Sequence, residues 1–118
     1  MSAQSKVLIT GASSGIGSVY ADRFAQRGHN LILVARDTNR LDKISKDLQE
    51  KYGIQVEFIQ ADLSNDQDIS KIEDVLKNDA DIEILVNNAG IALNGTFLTQ
   101  NIKAVSYTHL TLPTICSV

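Results

Sequence analysis

The chain has 118 residues, with 11 basic and 14 acidic side chains and a formal net charge of −3. That length suits one small domain, and the charge balance argues against a nucleic-acid-binding surface or a polybasic membrane anchor. No apolar segment approaches the length of a membrane span, and the N-terminus has no apolar h-region. Cys116 is the only cysteine, so neither a disulfide framework nor a cysteine zinc site forms within one chain. We therefore expect a cytoplasmic domain without a metal site.

Strand-like and helix-like segments alternate along the chain. The predicted strands are residues 6–10, 30–35, 54–60 and 82–86. Helical spacing follows the first three, with inner faces that carry Leu41, Ile44 and Leu48 in the second helix and Ile69, Ile72, Val75 and Leu76 in the third. Gly53 suits the end of the second helix, and Ser64 is the predicted N-cap of the third. Units of this length imply right-handed crossovers and a parallel sheet, which is an α/β fold.

The junction between the first strand and the first helix carries the most informative motif, residues 10–17 (TGASSGIG). Gly11 permits a tight turn at positive φ, Gly15 removes a side chain where a pyrophosphate approaches the backbone, and Gly17 lets the helix lie close to the strand. Main-chain N–H groups at a helix N-terminus attract phosphate. The spacing is one residue longer than G-x-G-x-x-G, and an ordinary strand-to-helix turn is the alternative. In this context the motif predicts dinucleotide binding.

A second polar turn, residues 87–90 (NNAG), follows the fourth strand. Because ligands lie over the carboxyl ends of the strands in a doubly wound sheet, this turn should emerge beside the glycine turn. Alone, it reads as an ordinary polar turn, and Asp62 as an exposed carboxylate. Together with Asp62 and Leu63 after the third strand, however, the two motifs have the order and spacing of the short-chain dehydrogenase/reductase family. The chain resembles the first half of such an enzyme from Lys6 to about Gly90.

The resemblance implies a Rossmann-like, doubly wound parallel sheet in the order 3-2-1-4, truncated after the fourth strand, which would be an exposed edge. It also implies a homo-oligomer for the full-length protein and cofactor contacts at three places. The pyrophosphate and its adjoining ribose would meet Gly11, Ser13, Ser14, Gly15, Ile16 and Gly17. The adenine ring would meet Asp62 and Leu63, with the Asp62 carboxylate accepting from the adenine amino group. The ribose on the nicotinamide side would meet Asn88, Ala89 and Gly90, and Asn87 would be more structural.

The end of the second strand predicts which cofactor binds. Enzymes that prefer NAD commonly place a carboxylate there, whereas this chain has Ala35 followed by Arg36. A guanidinium forms a forked, charge-assisted contact with a phosphate, worth about 1.5–3 kcal/mol or roughly one to two decades of affinity. We therefore expect NADP(H) to be preferred over NAD(H). Two alternatives remain. Arg36 is a solvated loop residue, or the neighbouring Asp37 changes its role, either by neutralising the Arg36 charge or by binding the ribose itself.

The proton chemistry of the family depends on a Tyr that is followed four residues later by Lys, with a Ser upstream. None of Tyr20, Tyr52 and Tyr107 has a Lys at that spacing, so no catalytic residue is assigned. The predicted function is hydride transfer between NADP(H) and a small-molecule carbonyl or alcohol substrate, with this fragment inactive by itself. The alternatives are a non-catalytic NAD(P)-binding sensor, an inactive truncated product and, more remotely, a methyltransferase.

The last 14 residues of the chain, residues 105–118 (VSYTHLTLPTICSV), contain no Lys, Arg, Asp or Glu. They also leave the helical register expected after Leu98 and Ile102. Residues 105–114 correspond to one reading frame of a transposon-derived sequencing adapter. We therefore predict a partial NAD(P)-binding domain over residues 1–104 and a non-native tail over residues 105–118, so that Tyr107, His109 and Cys116 carry no function. A genuine edge strand in which Leu110 and Leu112 alternate with polar residues is the alternative.

Overall fold

Strands and helices alternate along the chain in the computed structural model, which describes residues 5–13, 15–88 and, as main chain only, 103–106. The strands are β1 (Lys6–Thr10), β2 (Asn30–Ala35), β3 (Val56–Gln60), β4 (Ile82–Asn87) and β5 (Lys103–Ser106), and the helices are α1 (Gly15–Gln26), α2 (Thr38–Tyr52) and α3 (Asp66–Asn78). The four predicted strands and three predicted helices are present, although β3 begins at Val56 rather than at Ile54. None of the described helices is long and apolar enough to cross a membrane.

The strands form one parallel sheet in the order β3-β2-β1-β4-β5. The predicted order 3-2-1-4 is confirmed. The prediction that the fourth strand ends the sheet as an exposed edge is wrong, because β5 pairs with β4 from Ile84↔Lys103 to Asn87↔Ser106. This pairing gives main-chain partners to the side of β4 that would otherwise be open to association.

Strand β5 crosses the predicted boundary between Ala104 and Val105. A β-ladder is made by main-chain N–H and C=O groups, so its formation does not depend on the origin of the side chains along it. The non-native origin of residues 105–118 therefore stays a prediction. The site predictions for Ser14, Ala89 and Gly90, and the statements on residues 107–118, lie outside the described residues.

Apolar side chains pack on both faces of the sheet, because successive residues of a strand point to opposite faces. Helices α1 and α2 cover one face, where the buried core includes Val7, Ile9, Phe24, Leu31, Leu33, Leu41 and Leu48. Helix α3 covers the other, where it includes Leu8, Ile32, Val34, Ile72, Leu76 and Leu85. Burial on both faces explains the uniformly apolar sequences of β1 and β2. This core fixes the positions at which the strands end.

The start of α2 is fixed by Asp37, the N-cap, whose carboxylate accepts a hydrogen bond from the Arg40 main-chain N–H at 3.2 Å. This satisfies one of the free donors of the first helical turn. Gly53 ends the helix in the left-handed conformation, with φ of 70°, as a glycine after a helix commonly does. The Asp37 carboxylate is therefore used to cap the N-terminus of α2, which begins three residues after the end of β2.

The start of α3 is fixed by Asn65, whose side-chain oxygen accepts from the main-chain N–H groups of Gln67 and Asp68. The prediction that Ser64 is the N-cap is wrong by one position. The physical reason is that the Ser64 hydroxyl donates instead to the Asp62 carboxylate, at 2.7 Å. The turn between β3 and α3 is consequently organised around Asp62.

Candidate cofactor-binding site

The glycine turn joins β1 to α1 at the carboxyl end of the sheet. Gly11 has φ of 65°, the conformation that its predicted role requires. A Cβ on Gly17 would collide with the Gly11 carbonyl oxygen and would lie 2.9 Å from the Cα of Ala12. A Cβ on Gly15 would meet no other atom within 4 Å in the described part of the chain. Gly17 is thus required by the fold itself, whereas packing within these residues does not require the glycine at position 15.

Two side-chain hydrogen bonds tie this turn to β4. The fully buried Thr10 donates its hydroxyl to Asn87 Oδ1 at 3.1 Å and to the Val86 carbonyl at 3.4 Å. The Asn88 side-chain amide donates to the Gly11 carbonyl at 3.1 Å. Asn87, the last residue of β4, and Asn88, directly after it, therefore brace the end of β1 and the glycine turn, and this places Asn88 beside the turn.

A cleft of about 260 Å³ opens at the carboxyl ends of β1, β2 and β3. It is lined by Gly11, Ser13, Ala35, Arg36, Asp37, Ala61, Asp62 and Leu63. Five of these were predicted site residues, and they come from three separate loops: Gly11, Ser13, Arg36, Asp62 and Leu63. The predicted residues Gly15, Ile16 and Gly17 form the first turn of α1 instead, where Ile16 is half exposed.

The positive charge in the cleft comes from Arg36, which is exposed at the end of β2. Its main-chain carbonyl accepts from the Gln60 side chain at 3.3 Å, which ties the loop to β3. Within the described residues its guanidinium forms no salt bridge. The neighbouring Asp37 carboxylate accepts from the Arg40 N–H, so the structure directs it to α2 and not into an ion pair with Arg36.

Two carboxylates from the described residues line the cleft, those of Asp62 and of Asp37, the N-cap of α2. Hydrogen bonds from the Ser64 hydroxyl and main-chain N–H, at 2.7 and 3.0 Å, lower the pKa of the Asp62 carboxyl below its ordinary value of 3.8. Desolvation opposes this shift, and the positive charge of Arg36 adds to it. The group is therefore ionised at neutral pH, where it can only accept hydrogen bonds.

The hydrogen-bonding and charged groups around the cleft are of the kinds that bind a dinucleotide. Among the described residues, no three His, Cys, Asp or Glu side chains come together in a way that would hold a metal ion. Helix α1 has no acidic residue in its first turn, so its partial positive charge is not offset there and favours an anion. The open position at Gly15, the guanidinium of Arg36 and the carboxylate of Asp62 complete a site with places for phosphate and for a hydrogen-bonding base.

The family follows from comparison with known proteins. A family model described as short chain dehydrogenase matches residues 5–110. The chain belongs to the short-chain dehydrogenase family. A short-chain dehydrogenase from Sphingobium yanoikuyae in complex with NADPH is 54% identical, with a TM-score of 0.71 over 81% of this chain. The bulky-bulky ketone specific alcohol dehydrogenase from Comamonas testosteroni is 49% identical, with a TM-score of 0.71 over 82% of this chain.

A curated relative is the human inactive hydroxysteroid dehydrogenase-like protein 1, which is 40% identical over 85 residues, or 71% of this chain. The chain spans only 26% of that short-chain dehydrogenase relative, 38% of the Sphingobium chain and 39% of the Comamonas chain. The fold and the oxidoreductase family are therefore shown for this chain, and the activity of the whole protein belongs to the proposals below.

Sequence reasoning missed two residues that organise this short-chain dehydrogenase site. The sequence identifies Thr10 only as the end of a strand and the first residue of the glycine motif, although a hydroxyl buried between apolar strands requires a hydrogen-bond partner. Ser64 was assigned to the helix start. A signal for Ser64 was available, since a Ser two residues after an Asp is typical of a turn in which the carboxylate accepts from the main chain.

Proposed function

We propose that the chain is the cofactor-binding part of an NADP(H)-dependent oxidoreductase that transfers hydride between the cofactor and a carbonyl or alcohol substrate. The position of Arg36 carries the proposal. It lines the same cleft as Gly11 and Asp62, and the carboxylate beside it in sequence caps α2. A guanidinium without an ion-pair partner matches a ribose 2′-phosphate, whereas a carboxylate directed into the cleft would repel it.

The relatives support the same cofactor. The Sphingobium enzyme, which is 54% identical to this chain, is in complex with NADPH. L-sorbose reductase from Gluconobacter frateurii is also in complex with NADPH and is 35% identical. When bound, the nicotinamide cofactor supplies the hydride chemistry. The residues of this chain would hold its phosphates at the start of α1 and its adenosine end in the cleft.

A titration of the 118-residue chain with NADPH and NADH, followed by cofactor fluorescence at low salt, tests this proposal. We expect NADPH to bind about 10- to 100-fold more tightly, because the charge-assisted contact to the phosphate is worth about 1.5–3 kcal/mol. Arg36→Ala should remove most of this preference and leave the NADH affinity nearly unchanged. Arg40→Ala is the matched control, since it removes an exposed positive charge nearby that does not line the cleft. Equal or tighter binding of NADH by the unmodified chain would refute the proposal.

A second candidate function is a non-catalytic NAD(P)-binding sensor. It is favoured by the 40% identity to a human relative whose name describes it as inactive. The two functions differ in turnover but share cofactor binding. Assay of the full-length protein with NADPH and a panel of ketones, including bulky ones, separates them: cofactor oxidation supports the enzyme, and tight NADPH binding without turnover of any ketone supports the sensor.

Neither function depends on the origin of residues 105–118, because every cofactor-site residue named here precedes Ala104. We propose that these 14 residues are non-native, on the grounds of their uncharged sequence and its correspondence to an adapter reading frame. Resequencing the source DNA across the codons for Lys103 to Val118 tests this. A frame that continues differently after Ala104 supports the proposal, and recovery of the same codons refutes it.

A further inference from the structure

The carboxylate of Asp62 is anchored through one of its two oxygens. Oδ1 accepts from the Ser64 hydroxyl at 2.7 Å and from the Ser64 main-chain N–H at 3.0 Å. No donor from the described part of the chain bonds to Oδ2. A carboxylate that is held through one oxygen cannot rotate freely about its Cβ–Cγ bond. The direction of Oδ2 is therefore determined by Ser64.

The main chain of Asp62 is anchored as well. Its N–H donates to Asp68 Oδ2 at 2.7 Å, a short bond to a charged acceptor. Asp68 lies in the first turn of α3, so this bond joins the loop to the helix. Asp62 lines the cleft, but neither Ser64 nor Asp68 does. Neither residue therefore contacts a ligand in the cleft directly, and both are hydrogen-bonded to Asp62.

The Ser64 hydroxyl is not needed to start α3. Asn65 caps the helix and takes the main-chain N–H groups of Gln67 and Asp68. A hydroxyl one position before a satisfied N-cap has no role in the helix ladder. Here it makes a 2.7 Å hydrogen bond to a carboxylate at the wall of the cleft.

We propose that Ser64 is a positioning residue for base selectivity: by anchoring Oδ1 of Asp62 it directs Oδ2 to accept from the exocyclic amino group of a purine, and so favours adenine over hypoxanthine. This inference rests on the proposed cofactor binding. An ionised carboxylate is an acceptor only, so it pairs with an amino group and repels a carbonyl oxygen at the same ring position. Discrimination is stronger when the acceptor is fixed, because a mobile carboxylate can turn away from the carbonyl.

The test compares dissociation constants for NADPH and for reduced nicotinamide hypoxanthine dinucleotide phosphate. These cofactors differ only at the base, so their ratio is independent of phosphate affinity. For the unmodified chain we expect NADPH to bind more tightly. Ser64→Ala should reduce the ratio by about fivefold, the size of a typical net hydrogen-bond contribution, because the main-chain N–H of residue 64 still holds Oδ1. Ser64→Thr, which keeps a hydroxyl, should restore it.

Asn65→Ala is the control for a merely structural role. Loss of an N-cap costs about 1 kcal/mol of folding free energy, so this variant should lower the midpoint of urea unfolding and leave the base ratio unchanged. In an Asp62→Asn background, Ser64→Ala should have no further effect on the ratio, because the carboxylate through which it acts is gone.

The inference would be overturned if Ser64→Ala left the base ratio unchanged, or if Asn65→Ala lowered the ratio as much as Ser64→Ala does. In either case, NADPH binding by the unmodified chain would still support the proposed function. Failure of the unmodified chain to bind either cofactor would overturn both. A reduced ratio in Ser64→Ala that Ser64→Thr restores would support the positioning role.

Discussion

The two ends of the parallel sheet use their polar side chains differently. At the amino end, charged groups pair with one another. The ammonium group of Lys6, at the start of β1, lies 2.7 Å from the Asp79 carboxylate and 3.5 Å from that of Glu57. Beside it, the Ser5 hydroxyl donates to Glu83 and lies 3.0 Å from Nδ1 of His29. Each of these side chains has a side-chain partner in the protein.

At the carboxyl end, polar side chains form hydrogen bonds to the turns that surround the cleft, and some of their donor and acceptor atoms remain available for a ligand. Asn88 holds the carbonyl of the glycine turn, and Asp37 caps α2. Arg36 has no salt bridge within the described residues, and Asp62 uses only one carboxylate oxygen. Incomplete pairing within the described residues, and not the number of charges, therefore distinguishes the end proposed to bind the cofactor from the opposite end of the sheet.

The largest effect is expected from Gly17→Ala at the carboxyl end. The new Cβ would collide with the Gly11 carbonyl and approach Ala12 Cα at 2.9 Å, and both are main-chain atoms that move only if the turn moves. We expect a loss of about 3 kcal/mol in the free energy of unfolding, at the upper end for an overpacked site, and loss of NADPH binding. Urea unfolding and cofactor titration measure the two effects.

Gly15→Ala is the matched control for this substitution. Its Cβ meets no other atom of the described residues within 4 Å, and alanine is favoured over glycine within a helix by about 0.5–1 kcal/mol. The variant should therefore unfold at the same or a higher urea concentration and still bind NADPH poorly, because the Cβ fills the space expected for the phosphates. Normal NADPH binding by Gly15→Ala would place the phosphates elsewhere.

At the amino end, Lys6→Met should reduce stability and leave cofactor binding unchanged. The substitution keeps the apolar stem of the side chain but removes the positively charged partner of Asp79, whose side chain is only 25% exposed. We expect a loss of about 1–2 kcal/mol. A double-mutant cycle with Asp79→Asn isolates the coupling between the two groups. A coupling energy near zero would show that the Lys6–Asp79 pair does not stabilise the amino end of the sheet.

The division between the two ends could be predicted from the sequence only in part. Uniform apolar runs identify β1 and β2 because strands buried on both faces have no alternation. The glycine spacing and Arg36 mark the carboxyl end of the sheet. A turn at positive φ favours glycine, and a forked contact to a phosphate favours arginine. These signals are local and therefore visible in a single sequence.

Of the three features that were not predicted, two depend on contacts between distant segments and one on a contact within a single turn. Thr10 bonds to Asn87, which lies 77 positions away, and no local pattern connects them. The N-cap of α3 falls on Asn65 and not on Ser64 because the Ser64 hydroxyl is used by Asp62. Strand β5 was missed because four residues (KAVS) have too few alternating positions to indicate a strand, and the edge of β4 supplies the pairing that the segment's own sequence does not reveal.

The pH dependence of stability offers a further comparison. Burial raises the pKa of Asp79, but the hydrogen bonds from Lys6 and Asp81 and the charge of Lys6 outweigh it, so the pKa lies below 3.8. Its stabilising effect is present above pH 3.8 and is lost as the pH falls through the lowered value. The hydrogen bond to Asp79 raises the pKa of Lys6 above 10.5, so this contribution is present below pH 10.5 and is lost as the pH rises through the raised value.

The difference in stability between the unmodified chain and Lys6→Met should therefore be constant from about pH 5 to pH 9 and shrink on either side. Urea unfolding at a series of pH values measures it. The pKa of Asp62 is also lowered, so this group adds its own pH dependence to the stability of each protein. Because its partners are the same in both proteins, its contribution cancels in the difference. A difference that stayed constant down to pH 2 would mean that Asp79 is not the group stabilised by Lys6.

The smallest effect is expected from Tyr52→Phe, where α2 ends near the amino end of the sheet. The Tyr52 hydroxyl donates to Asp22 at 2.8 Å and accepts from Gln26 at 3.3 Å, which joins α1 to α2. Because Asp22 and Gln26 are reached by solvent, we expect a loss of only about 0.5–1 kcal/mol in the free energy of unfolding. The NADPH dissociation constant should not change, since the hydroxyl is held away from the first turns of both helices, and the predicted cofactor residues nearest to them lie at or before those first turns. A weakened affinity as large as the loss of stability would mean that the helix layer transmits strain along its length, and the two ends could then no longer be treated as independent.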